Sequence, residues 1–266
     1  RRTAMVVGNC QDEWTAQEYL DCLYQLSLLN YAEVGENRFV FHPLIRLFAQ
    51  ELAETRQLQE VAAKRHARFF IKLVKYYRAI AAEIAENLDD IILAAQWLQR
   101  QETTTKRQQK SQYGFAFCLQ PFFKQYGYWQ QAVDFMSEFQ LLARLNEDWN
   151  KAVEFLIQQA NYLSLLGEWS RAEEVLTPIP DILSKIEVEA TRQRYEAKWR
   201  TTLGKILQQQ RRFDEAIQVF QRQVEISQTL DDQRSLAIGF NCLGGVFQQQ
   251  GRFDEAIQAF QRRIEI

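Results

Sequence analysis

Histidine, methionine, proline and cysteine are all scarce in this 266-residue chain, with two, two, four and four copies. The two histidines, His42 and His66, have no nucleophile or metal partner at a catalytic spacing, so neither hydrolysis nor a metal centre is read from them. Cys10, Cys22, Cys118 and Cys242 show no metal or redox spacing; buried, reduced thiols are expected. Four prolines and ten glycines leave few breakers, which favours a mainly helical chain. No apolar run reaches 18 residues and no signal peptide is recognisable, so a cytoplasmic protein with no membrane partner is expected. A formal net charge of −2 gives no general attraction to nucleic acid. A phosphate-binding loop is missing too. Gly239 and Gly244 have the glycine spacing, but Gly245 stands where the lysine belongs.

What is present is repetition. Leu203–Ile226 and Leu243–Ile266 are the same 24-residue phrase 40 residues apart, identical at 17 positions. In the second copy Leu243, Phe247, Phe253, Ile257 and Phe260 recur at three and four on either side of Gly251, which predicts two amphipathic helices joined by a tight turn. Gly244 and Ala256 are the small residues at which the two helix backbones are expected to approach. Ala256 then serves as a register mark, repeated at Ala216, Ala172 and Ala132, with Trp169 and Trp129 three residues before the last two. Gly127 and Gly167 occupy the turn position of Gly251, and Arg211 takes it in the third unit.

Leu243, Gly244, Phe247, Phe253, Ala256 and Phe260 stand at the signature spacing of the tetratricopeptide repeat (TPR), and this part of the chain resembles that family. The resemblance implies a right-handed TPR α-solenoid of four repeats over 113–266, cut short at the C-terminus, whose long period resembles bacterial signalling arrays. Arg200 and Phe240 depart from the usual Trp position. Gln223 and Arg263 replace a usual small residue, so an altered fit between repeats is expected. By resemblance, the partner-facing positions are Glu154, Ile157, Asn161, Lys198, Thr201, Lys205, Gln208, Gln209, Ile238, Asn241, Gln248 and Gln249. Amides both donate and accept, so Asn161, Gln208, Asn241 and Gln248 are the preferred contacts for a peptide backbone. Solvated glutamines at helix ends are the plainer alternative.

Ahead of the repeats the period changes. A helix is expected over Thr15–Leu29, then strands over Tyr31–Val34 and Arg38–Phe41 around Gly35-Glu36-Asn37. Pro43 suits the first turn of a helix reaching about Thr55. Helix, hairpin, helix is a winged-helix order, assigned to residues 1–57. Phe41-His42-Pro43-Leu44-Ile45-Arg46-Leu47-Phe48-Ala49 resembles the Met-His-Asp segment that closes the nucleotide-binding module of STAND ATPases, the group that includes NB-ARC proteins. The resemblance implies that His42 senses the phosphates of ADP or ATP held by an ATPase core upstream in the same protein; this fragment has no cofactor of its own. Pro43 replaces the usual Asp. A simple cap at the strand-to-helix corner is the other role open to His42.

Residues 58–112 read as a helical linker. Residues 61–112 carry ten basic and five acidic side chains against five and nine in 1–60, a difference read mainly as a solvated basic face. The polar stretch Gln101–Gln112 is the expected hinge. Pro121 should kink or restart a helix, and Pro178 and Pro180 should end one early. The reading that follows is a non-catalytic sensor of a protein or peptide signal that restrains a STAND-type ATPase. A DNA-binding regulator with a ligand-binding repeat domain and a passive scaffold are the alternatives. Against the first stands the acidic balance of residues 1–60, which lack lysine.

Overall fold

The computed structural model describes residues 2–31, 39–77, 81–100 and 106–266. The described residues are mainly α-helical with one two-stranded ribbon, and the chain divides into two compact units, 1–122 and 123–266.

In the first unit, α1 (Arg2–Gly8) and α2 (Glu13–Gln25) precede β1 (Leu29–Tyr31) and β2 (Phe39–Phe41), an antiparallel pair with Leu29 opposite Phe41. Asp12 caps α2 by accepting from the Thr15 N–H at 2.7 Å. The helix ends four residues before the expected Leu29. Ser27 turns left-handed at φ 59°, and the Leu28 N–H closes the end on the Leu23 carbonyl. Ser27 and Leu28 therefore form a helix stop, and Leu29 belongs to a strand and is buried. The Gly35-Glu36-Asn37 turn lies outside the described residues.

His42 is exposed and precedes α3 (Pro43–Thr55); its Nδ1 accepts from the Leu44 N–H at 3.4 Å, and Pro43 occupies the first helical turn. Then come α4 (Gln59–Tyr77), α5 (Ala81–Glu86) and α6 (Leu88–Arg100). Ala67, Phe70 and Val74 of α4, Ile84 of α5, and Ile91, Ala94 and Ala95 of α6 are fully buried, where these helices pack. His66 sits at the same contact, its Nε2 3.1 Å from Asp90 Oδ1 and its ring against Phe70. Lys64, Arg68 and Lys72 are exposed, as a solvated basic face requires.

The polar stretch expected to form a hinge is helical over 106–112. It opens α7 (Lys106–Tyr126), and Gln112 is buried with its Nε2 donating to the Leu98 carbonyl at 2.6 Å. Gln, Lys and Arg are good helix formers, so polarity alone does not make a loop. Pro121 lies inside α7, which does not restart there. Cys22 is exposed and Cys10 and Cys118 are half-buried; only Cys242 meets the expectation of a buried thiol.

The second unit continues through α8 (Trp129–Leu145), α9 (Trp149–Leu165), α10 (Trp169–Leu176), α11 (Ile179–Leu183), α12 (Glu189–Gln209), α13 (Phe213–Thr229), α14 (Gln233–Gln249) and α15 (Phe253–Ile264). Successive helices pack as hairpins stacked into a solenoid. Ala132, Ala172, Ala216 and Ala256 are all buried, each in the first turn of its helix. Phe123, Phe135, Phe139 and Phe155 run as a chain of rings 5.0–5.7 Å apart. Pro178 and Pro180 stop the second repeat's outer helix at Leu176. The extra residues form α11, whose Ile179, Ile182 and Leu183 are buried where it packs on α9.

The turns share one device. Gly127, Gly167 and Gly251 take φ of 75–79°, and Arg211 takes 61° at the equivalent place. After three of them the next N–H returns to a carbonyl five residues back: Glu168 to Leu163, Arg212 to Leu207 and Arg252 to Phe247, each at 2.9 Å. A residue with a Cβ resists this conformation by about 1–2 kcal/mol. Arg211→Gly is therefore expected to raise stability by about 1 kcal/mol, and Gly167→Ala to lower it by a similar amount, read from denaturant midpoints.

The space at Gly244 is occupied by a ring. A Cβ there would lie 2.6 Å from the Phe260 ring, and one at Gly204 would lie 2.5 Å from the Phe220 ring. Each glycine accommodates an aromatic side chain of the second helix.

Candidate partner-binding face

Helices α9, α12 and α14 are the inner helices of successive hairpins, and α12 packs against both of the others. Three- and four-residue steps put side chains on one side of a helix. Glu154, Ile157 and Asn161 follow that step on α9; Lys198, Thr201, Lys205 and Gln208 on α12; Ile238, Asn241 and Gln248 on α14. Gly245 continues the α14 row without a side chain, and Gln208 Nε2 lies 3.7 Å from where its Cβ would be. Gln208 of α12 therefore reaches the backbone of α14.

Lys198, Lys205, Gln209, Ile238, Asn241, Gln248 and Gln249 are exposed, while Glu154, Asn161, Thr201 and Gln208 are half-buried. Ile157 is only 6% exposed, so it packs inside and offers no surface to a partner. Its apolar chemistry suits that place; the resemblance that named it could not tell lining from filling.

Several of these groups are already engaged. Thr201 Oγ1 donates to the Ala197 carbonyl at 2.9 Å, and Glu154 pairs with Lys151 Nζ at 2.7 Å. Arg263 Nη1 donates to Asn241 Oδ1 at 2.8 Å. A ligand that needs that oxygen must compete with a guanidinium.

Charge is concentrated on α12, where Lys198 and Lys205 stand two turns apart. Lys198 Nζ lies 5.2 Å from the centre of the Tyr195 ring, within cation–π range. Burial pushes the Tyr195 hydroxyl up to about 12, with Glu154 and Asp148 adding to the shift, so it is a neutral donor at physiological pH. Burial also raises the Cys242 thiol, which Lys205 partly offsets. Tyr195 and Arg263 were not among the sequence candidates. Tyr195 is one step earlier in the 195/198 row, which was the available signal; Arg263 shows only in three dimensions.

Among the described residues no three His, Cys, Asp or Glu side chains gather in a way that could hold a metal ion, and no helix is long and apolar enough to cross a membrane.

The tetratricopeptide repeat family matches residues 195–266. No curated protein matches the chain in sequence. The fold is similar to solved repeat proteins. Kinesin light chain TPR-like repeats from Podosopora anserina align at 16% identity with a TM-score of 0.52, over 74% of this chain and 93% of that one. BtubC (BKLC) from P. vanneervenii aligns at 18% identity with a TM-score of 0.52, over 79% and 89%. A STAND protein with a tetratricopeptide repeat sensor from Pyrococcus horikoshii spans 99% of this chain and 41% of its own length at 15% identity. Its TM-score of 0.49 is too low to support an argument from likeness. The match over residues 195–266 falls on the last two hairpins, α12–α13 and α14–α15.

Proposed function

We propose that this chain is a non-catalytic recognition module that binds a peptide or protein segment on the α9–α12–α14 face and relays that binding to a STAND-type ATPase core in the same protein. One observation carries the reading: three adjoining helices carry polar side chains in the candidate rows, Glu154 and Asn161 on α9, Lys198, Lys205 and Gln208 on α12, and Asn241 and Gln248 on α14. Amides can bond a peptide backbone through donor and acceptor alike, and two exposed lysines favour a segment with acidic side chains. Binding surfaces of this kind extend over several repeats, so affinity accumulates from modest contacts.

The relay rests on residues Phe41–Ala49. His42 uses Nδ1 as acceptor toward Leu44, which leaves its proton on Nε2, able to donate to a phosphate of ADP or ATP bound in the core. The DNA-binding reading is disfavoured by α3. That helix holds one arginine against two glutamates and exposes Leu44, Leu47 and Phe48, a poor surface for neutralising phosphates.

A peptide library selected on the intact chain tests recognition, with Lys198→Glu/Gln208→Ala/Gln248→Ala as the counter-screen. Selected peptides should bind the variant at least tenfold more weakly, about 1.4 kcal/mol. Equal binding would remove the face from the proposal. Mixing the chain with the separately produced ATPase core tests the relay. Nucleotide exchange unchanged at saturating chain would exclude restraint.

A further inference from the structure

Four glycines lie within the inner helices of the last two hairpins, Gly204 on α12 and Gly239, Gly244 and Gly245 on α14. Glycine is the least favourable residue of a helix interior after proline, so each of them weakens its helix. Packing accounts for three. A Cβ at Gly204, Gly239 or Gly244 would fall 2.5, 2.1 or 2.6 Å from a side chain of an outer helix. Packing does not account for Gly245, where the nearest atom to a Cβ is Gln208 Nε2 at 3.7 Å, an ordinary contact.

The twin position shows which way Gly245 faces. The two 24-residue copies place Lys205 of α12 where α14 has Gly245, and Lys205 is exposed although α14 packs against α12. Openness therefore belongs to this position of the repeat and not to the place of α14 in the stack. On α14, Gly245 interrupts a polar row, with Asn241 four residues before it and Gln248 three after. Gln208 reaches over it from α12. The side-chain amides of Gln208 and Gln248 make no hydrogen bond among the described residues. The result is a gap in the face, floored by helix backbone and bordered by two unengaged amides.

We infer that Gly245 is the point at which the main chain of a bound, extended peptide crosses α14. The inference rests on the α9–α12–α14 face being the recognition surface, and adds which residue sets how closely a partner can lie. A helix backbone without a Cβ admits another backbone to close range. Gln208 and Gln248 each offer an N–H and a carbonyl, the pair that a peptide group needs to satisfy its own carbonyl and N–H. A carboxylate would engage only the N–H groups of these amides and needs no close approach to the helix. A larger residue at 245 would lift the peptide off the floor and away from both amides.

The probes are peptides selected from a random library on the 266-residue chain and kept only if Lys198→Glu/Gln208→Ala/Gln248→Ala weakens them. Gly245→Leu is expected to weaken their binding about tenfold or more, and Gly245→Ala by a smaller factor. Gly245→Ala should at the same time raise the urea midpoint, opposite in sign to Gly244→Ala beside it, because the added methyl meets only an ordinary contact. Methylating one backbone nitrogen of a peptide should abolish its binding where side-chain changes at the same residue are tolerated. Kept peptides that bind Gly245→Leu as tightly as the parent chain overturn the inference and leave the recognition face standing. Indifference to methylation at every backbone nitrogen does the same, as does a Gly245→Ala midpoint that falls, which would give the glycine a packing role. If no peptide is weakened by the triple substitution, the recognition face itself fails and this inference with it.

Discussion

Gly204→Ala is expected to lower the unfolding free energy by about 1–3 kcal/mol, the usual range for forcing extra carbon into a packed core. A Cβ at residue 204 would sit 2.5–2.8 Å from three atoms of the Phe220 ring. Phe220 is fully buried, within a cluster that includes Leu207, Ile217, Val224 and Leu243, so the ring has no free direction in which to yield. The twin substitution Gly244→Ala meets Phe260 at a similar distance. Phe260 is only half-buried on a helix with an open face, so it can swing aside and the loss should be smaller. Urea midpoints of the two variants give the comparison. Phe220→Leu in the Gly204→Ala background should recover part of the loss, a non-additivity of the kind seen between touching residues. Equal losses at the two glycines would show that backbone effects, and not the rings, decide.

Gly239→Ala should be at least as damaging, and its effect should depend on Gln223. A Cβ at residue 239 would fall 2.1 Å from Gln223 Oε1 and 2.6 Å from Val224 Cγ2. Gln223 cannot move without giving up its Nε2 bonds to Ser227 Oγ and the Ser235 carbonyl, both 2.9 Å. Each such bond contributes about 0.5–1.5 kcal/mol net, and more when a buried partner is left unsatisfied. Among the described residues Oε1 has no hydrogen-bond partner, and it occupies the space a Cβ at residue 239 would need. In a double-mutant cycle, Gln223→Ala should relieve the penalty of Gly239→Ala by about 1 kcal/mol or more. Additive losses would mean that the glycine serves only Val224 or the helix crossing.

The repeat was legible because a period of 40 survives any local ambiguity: apolar spacing gave the helices, and a glycine or its stand-in gave each turn. Arg211 was identified as a turn residue by register alone, and its positive φ agrees. Glu147 and Asp231 take the same conformation at 54° and 51° with no glycine to announce them. α11 was visible only as two prolines that stop a helix; that the extra residues would pack as a short helix on α9 depended on the apolar surface waiting there. The reading of 101–112 as a hinge failed over 106–112 because polar composition was taken for disorder where the residues are good helix formers. Among the candidate contacts, the resemblance to the repeat family assigned positions on α9, α12 and α14 but not their exposure. Ile157 turned inward, and Asn241 acquired Arg263.

The amino-acid order alone determined that this protein is a stack of helical hairpins with a helix–ribbon–helix segment ahead of it, because periodicity and turn chemistry are properties of neighbours in sequence. Tertiary structure alone decided what each small residue accommodates and which polar groups are already bonded. Burial depends on what lies across a gap, and residues 16 or 40 apart have no local signal that tells them they will touch.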